Sequence, residues 1–339
     1  MGVPDLRRYL TLGAALASIS GAALAQPAEL PAPDSRAVLH AITENDAFAP
    51  ARTDRWYTNG VRFGYSSPEA QLPGPLEALD NALARLLGPA QSRWGINLGQ
   101  TIFTPQNTRA YVPDPRDRPY AGHLYLEGSL DRRTGNTLDR FTIAGGIVGP
   151  GSLGRKTQDI VHELIGSRIP HGWRHQLRDE ATVNLGWSRT WRYRLAKLPA
   201  GLELDTLPSA EVALGTVAVY AQGGGRLRFG HGLGGDFGTP RIRPGGGDTA
   251  APLGQGFGWY LFAGATGRVV GRDLFLDGNT WRDSSRSVSK RNVVGDLEAG
   301  GAVYWHNVRL SYTHDWRSEE FVGQKKWFTF GIATLSVAF

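Results

Sequence analysis

From residue 37 to the C-terminus, large apolar residues alternate with small or polar ones in short runs. Val61-Arg62-Phe63-Gly64-Tyr65-Ser66 is one such run, and Trp94, Ile96, Leu98 and Ile102, with Gly95, Asn97, Gly99 and Thr101 among them, form another. A period of two puts successive side chains on opposite faces of a strand, so each run reads as a strand with one apolar face. The runs lie near 37–45, 57–66, 93–103, 122–132, 139–149, 181–192, 202–214, 216–230, 257–270, 291–304, 308–316 and 327–339. Twelve is an even count, as a bacterial barrel of antiparallel strands requires. The chain ends on the alternating Leu335-Ser336-Val337-Ala338-Phe339, whose terminal aromatic resembles an outer-membrane assembly signal. The pattern therefore predicts an all-β protein: a twelve-stranded antiparallel transmembrane β-barrel over residues 26–339, with a short helix in an outer loop. A soluble sandwich or barrel shares the short alternating strands and is the competing architecture.

The N-terminus bears on that choice. Arg7 and Arg8 precede an apolar run from Tyr9 to Leu24, and Ala23-Leu24-Ala25 has the small-residue pattern of a cleavage site. Residues 1–25 thus read as a secretory signal peptide, which favours the bacterial outer membrane. No later segment offers 18 consecutive apolar residues, so no transmembrane helix is expected. The absence of Cys excludes a disulfide framework and thiolate chemistry, and 45 Gly suit a chain of strands and turns. A pI near 9.6 raises nucleic acid as a partner. For an exported chain, a phosphate-bearing envelope lipid is the acidic partner that fits, with no role for nucleic acid.

Strand parity sorts the connections. With both termini periplasmic, segments 46–56, 104–121, 150–180, 271–290 and 317–326 face outside, and turns such as Trp305-His306-Asn307 fall inside. Two inner connections are longer than that rule predicts. In 67–92 the spacing of Leu76, Leu79, Leu83 and Leu86 predicts an amphipathic helix, whereas 231–256 is rich in Gly and Pro. In the third outer loop, 156–165 reads as a short helix with Gly166 as its C-cap.

This topology gathers polar residues at one mouth of the barrel, where substrate would arrive in the bilayer and water and ions through the pore. Asn45 and Asp46 end strand 1, Thr58 begins strand 2, Arg109 and Arg118 lie in the second outer loop, and His162 lies in the third. Asn45 and Asp46 carry hard oxygen atoms of the kind calcium takes, although Asn-Asp at a strand end equally serves turn chemistry. His162, which shares a helix face with Asp159 at i, i+3, is the candidate general base, against the plain alternative of a solvated loop histidine. Thr58 can donate to a developing oxyanion. Arg109, Arg116 and Arg118 are candidate phosphate clamps in a loop stiffened by Val112-Pro113-Asp114-Pro115. No G-x-S-x-G elbow occurs, and Ser66, Ser67 and Ser152 are the nearest serines to these clusters.

Taken together, Thr43-Glu44-Asn45-Asp46, Tyr57-Thr58-Asn59-Gly60, Tyr111 through Asp117-Arg118-Pro119-Tyr120-Ala121-Gly122, and Gly149-Pro150 through Gln158-x-x-x-His162 to Gly172-Trp173 resemble the lipid A 3-O-deacylase family, the LpxR-like outer-membrane barrels. The resemblance covers most of the chain after residue 25 and is densest over 39–180. It implies calcium-dependent hydrolysis of the acyl ester at the 3′ position of lipid A, the lipid of lipopolysaccharide. The family's catalytic Asn, Asp, Thr and His fall on Asn45, Asp46, Thr58 and His162, with Asn45 and Asp46 at the metal and Arg109 and Arg118 placed to hold lipid phosphates. One position departs, since an acidic residue six places after the histidine is Arg168 here. An outer-membrane phospholipase-type esterase, or a non-enzymatic pore or structural barrel, are the competing functions.

Overall fold

A computed structural model describes residues 30–48, 55–243, 246–247, 256–282 and 284–339, so the signal-peptide segment 1–25 lies outside the described residues. Twelve long strands run β1 (Val38–Asn45), β2 (Trp56–Ser66), β3 (Gln91–Thr104), β4 (Ala121–Arg133), β5 (Thr137–Val148), β6 (Glu180–Trp191), β7 (Leu202–Gly215), β8 (Ala218–His231), β9 (Phe257–Asp273), β10 (Val293–Trp305), β11 (Val308–Arg317) and β12 (Phe328–Ala338). Each pairs antiparallel with its neighbours in sequence. The ring closes twice over: β1 meets β12 from Val38↔Ala338 to Asn45↔Gly331, and β6 meets β7 from Asn184↔Gly215 to Thr190↔Ser209. A short strand, Tyr193–Lys197, extends β6 along β7. Closure leaves no strand edge unpaired in the bilayer, where an unpaired backbone group is costly.

The alternation in the sequence appears here as a wall with reversed polarity. Every long strand exposes a large apolar side chain outward: Leu39, Phe63, Leu98, Leu126, Ile143, Leu185, Leu214, Leu227, Leu261, Leu297, Leu310 and Leu335. Many inward positions are charged and buried. Arg62 lies 3.6 Å from Glu127, which also accepts from Asn97 Nδ2, and Arg140 pairs with Asp131 at 2.7 Å. Apolar outside and ionic inside is the arrangement of a membrane barrel.

Both long inner connections contain order. Helix α1 (Gly74–Leu87) forms where the leucine spacing predicts it and has no fully buried residue; Asp80 ties it to the wall through Ser92 and Arg132. The connection after β8 is not a loop hanging below the barrel. Its described stretch 232–243 turns into the lumen, with Gly232 and Gly238 at positive φ where it bends, and Ile242–Arg243 pairs with Gly246–Gly247. Asp236 joins Arg228 and Arg309, while Arg241 reaches Asp315 at 3.1 Å and stands near Asp296 and Glu298. At its tip the Ile242 N–H donates to Glu44 Oε1 at 2.5 Å, and Tyr57 donates to the other oxygen of the same carboxylate at 2.7 Å. The segment answers charges of both signs in the lumen, giving Asp236 to wall arginines and Arg241 to wall carboxylates.

Candidate functional site

The polar cluster predicted at the barrel mouth lies instead on the outer, lipid-facing side of the wall. Along β1 the buried inward positions are Val38, His40, Ile42 and Glu44, which sends Asn45 outward. On β2 the register against β3 slips between Tyr57 and Asn59. This bulge turns Tyr57 into the lumen, onto Glu44, and sets Thr58 beside Asn59 on the outside. There Thr58 Oγ1 lies 2.8 Å from Thr104 Oγ1, an outward residue of β3. Register then draws one row across six strands: His314, Gly331, Asn45, Asn59, Ile102 and Gly122.

Helix α2 (Gly154–Leu164) covers the β3–β4 end of that row. Its buried residues, Gly154, Gln158 and His162, repeat at i, i+4, i+8 and face the wall. Gly122 and Gly154 allow the approach: a Cβ on Gly122 would stand 2.9 Å from the Cα of Gly154 and 2.3 Å from Ser152 Oγ. Gln100, also outward on β3, donates to the Ser152 carbonyl at 2.6 Å. Trp173 Nε1 donates to Gln158 at 2.8 Å, and its ring packs on Tyr120, burying Ile102 beneath. The helix begins two residues earlier than the periodicity predicts and is capped at Ile165, with Gly166 next at φ +67°. Gln158, rather than the predicted Asp159, shares the face of His162; Asp159 turns away to Arg155 at 3.4 Å.

His162 is buried, and its Nδ1 lies 2.5 Å from the carbonyl oxygen of Arg168. A carbonyl only accepts, so Nδ1 carries the proton and Nε2 is the basic ring atom. The position at which the resemblance expects a carboxylate thus contributes through its backbone.

The remaining candidates separate. Asp46 is buried in the short turn Asp46–Phe48, where its Oδ2 accepts from the Arg55 N–H, and Asn45 Oδ1 accepts from the Ala47 N–H. Phe48 lies over Gly331, its carbonyl taking the Tyr312 hydroxyl at 3.1 Å. Arg109 is exposed on the second outer loop. Arg118 is not a phosphate clamp: it is fully buried over the Phe103 ring and pairs with Glu320 at 3.1 Å, on the lumen side of the wall. Arg116 is exposed and paired to Asp114. Asp117 fastens this loop by accepting from the Gln106 and Arg118 N–H groups; burial pushes its carboxyl up from the ordinary value, against the pull of those two bonds.

Thr104 and His314 escaped the sequence reading, and Asn59 entered it only as part of a motif, because only register shows that they share a face with Asn45. Among the described residues no cluster of three or more His, Asp or Glu side chains is set to hold a metal. The donors at the rim, Asn45, Asp46, Thr58, Asn59 and Thr104, are all oxygen-bearing, which suits a hard cation whose shell is completed by water.

The model of the family described as outer membrane protein LpxR matches residues 10–339. The chain belongs to the LpxR family. It is an outer-membrane protein. Among solved structures, LpxR from Salmonella typhimurium superposes with a TM-score of 0.73 at 19% identity, covering 89% of this chain and 100% of that one. The β-domain of the Bordetella autotransporter BrkA covers 91% of this chain and 100% of its own at 13% identity, with a TM-score of only 0.44. No curated protein sequence matches the chain. The LpxR likeness carries the twelve-stranded closed barrel; at 19% identity it assigns no residue its role.

Proposed function

We propose that this LpxR-family barrel hydrolyses an acyl ester of a lipid held in the outer leaflet, and that the lipid is lipid A, cut at its 3′-linked chain. One observation carries the reading. A histidine whose tautomer is fixed by a backbone carbonyl is buried on the wall-facing side of a helix that covers one end of a row on the lipid-facing side, and further along that row stand Asn45, Asn59 and His314, polar side chains that have no purpose in contact with acyl chains.

His162 Nε2 takes a proton from water, and the water oxygen attacks the ester carbonyl carbon. Thr58, coupled to Thr104, donates to the oxyanion that forms. The intermediate expels the sugar alkoxide, which takes the proton back from His162, leaving a hydroxyl on the sugar and a free fatty acid that gives its remaining proton to water and leaves as the carboxylate. Asn45 and Asp46 would hold calcium, which when bound polarises the ester carbonyl. Arg109 is the arginine left exposed to meet a lipid phosphate.

The phospholipase-type reading needs a serine in this row. Ser66 is buried at the opposite end of β2, Ser67 is buried beside it, and Ser152 Oγ is bound to the Gly149 carbonyl. The passive-pore reading needs an open lumen, which 232–243 and its ion pairs occupy. Mass spectrometry of lipid A from cells producing the protein or its His162→Ala form is the test. The wild type should remove the 3′-linked chain, and the variant should be slower by about a hundredfold to ten-thousandfold. His171→Ala and His175→Ala, outside the row, should retain most activity. Unchanged lipid A with the wild type, or near wild-type release by the variant, would overturn the proposal.

A further inference from the structure

On the flank of α2 turned away from the wall, the helix and the segment 173–178 enclose a cavity of about 560 Å³. Four cationic side chains line it: Arg155, Lys156, Arg174 and Arg178. Two carboxylates, Asp159 and Glu163, oppose them, so the lining keeps a positive excess, and Asp159 is already shared with Arg155. Two of the cations are rooted. The Arg178 N–H donates to Asn279 Oδ1 at 3.0 Å while its carbonyl accepts from Asn279 Nδ2 at 2.9 Å, and Arg174 Nε donates to His175 at 3.0 Å. Arg178 is thus anchored through its backbone, and the side chain of Arg174, held by its own bond, loses less entropy when a ligand arrives.

The same lining carries a demand of the opposite kind. Asp159 Oδ1 and Gln176 Oε1 are buried acceptors without a hydrogen-bond partner among the described residues, and a buried acceptor left unanswered is costly. Inorganic phosphate at neutral pH would answer the cations and do little for the acceptors. A neutral sugar would do the reverse. A ligand that joins an anionic group to hydroxyl donors answers both.

We propose that this cavity is a subsite for a phosphorylated sugar, supplied by the head group of the lipid that the site cuts. Its place fits that source, because the pocket and His162 occupy two faces of one helix at the outer rim. A lipid lying against the outer face of the wall beside α2 has its head group at that level. The proposal rests on the deacylase reading for the source of the ligand, and on the lining alone for its chemistry.

Calorimetric titration of the full-length His162→Ala protein in detergent, where no turnover occurs, tests the chemistry. Glucosamine 6-phosphate should bind, and more tightly than either glucosamine or inorganic phosphate. Adding Arg174→Ala and Arg178→Ala together should weaken it by about tenfold or more. No binding, equal binding of inorganic phosphate, or an unaltered affinity in the double variant would overturn the subsite. With His162 intact, the double variant should raise KM for lipid A and leave hydrolysis of a short neutral acyl ester unchanged; an equal loss on both substrates would overturn the head-group assignment. Sugar-phosphate binding by a protein that leaves lipid A intact would support the subsite and sink the deacylase.

Discussion

Asp46 shows how much a single carboxylate can be asked to do. Beside Asn45, Thr58, Asn59 and Thr104 it is the one carboxylate among the described donors; one oxygen already takes the Arg55 N–H, and a hard cation there would lean on amide, hydroxyl and water oxygens for the rest of its shell. Exhaustive chelation should therefore abolish activity and added calcium restore it. Asp46→Ala should need at least about ten times more calcium for half-activity, which a titration of rate against free calcium measures. Full activity after chelation would leave Asn45 and Asp46 as turn formers. Residue types were readable in the sequence here, and the side of the wall was not. Thr58 reaches the outer face through a bulge, and no period in Tyr57-Thr58-Asn59-Gly60 announces one. His314 joins the same row through two strand pairings, the second of which links the last strand to the first.

Among the elements, α2 depends on the smallest contact in the site. Its seat is the approach of Gly154 to Gly122, so Gly122→Val should push the helix off the wall and carry His162 with it. A displacement near 1 Å is enough to cost about a hundredfold in rate. The barrel itself should survive, because Gly122 points outward and its strand pairings are backbone bonds. Measuring lipid A deacylation beside heat-modifiable gel mobility separates the two effects; a normal rate in Gly122→Val would show that the helix does not need this seat. All twelve strands were legible because a period of two is written locally. The segment 232–243 was not, since its partners Glu44, Asp315 and Arg309 lie far away in sequence and its Gly and Pro content carries no period of its own.

At the scale of the whole molecule, the barrel is closed and filled. Unheated and boiled samples should migrate differently on an SDS gel, and the protein in planar bilayers should show no steady open-channel conductance. Recovery in the soluble periplasmic fraction, or a large constant conductance, would contradict this architecture. The filling also bears on how the ring comes together. Asp296, Glu298 and Asp315 crowd one side of the lumen, and Arg241 stands among them on a segment joining β8 to β9. Asp296 has Arg317 and Glu298 has Arg226 from the wall itself, so it is Asp315 that depends on Arg241 being seated. One stretch of chain thus braces strands on both sides of the seam between the first and last strands: Arg241 holds Asp315 on β11 and the Ile242 N–H holds Glu44 on β1.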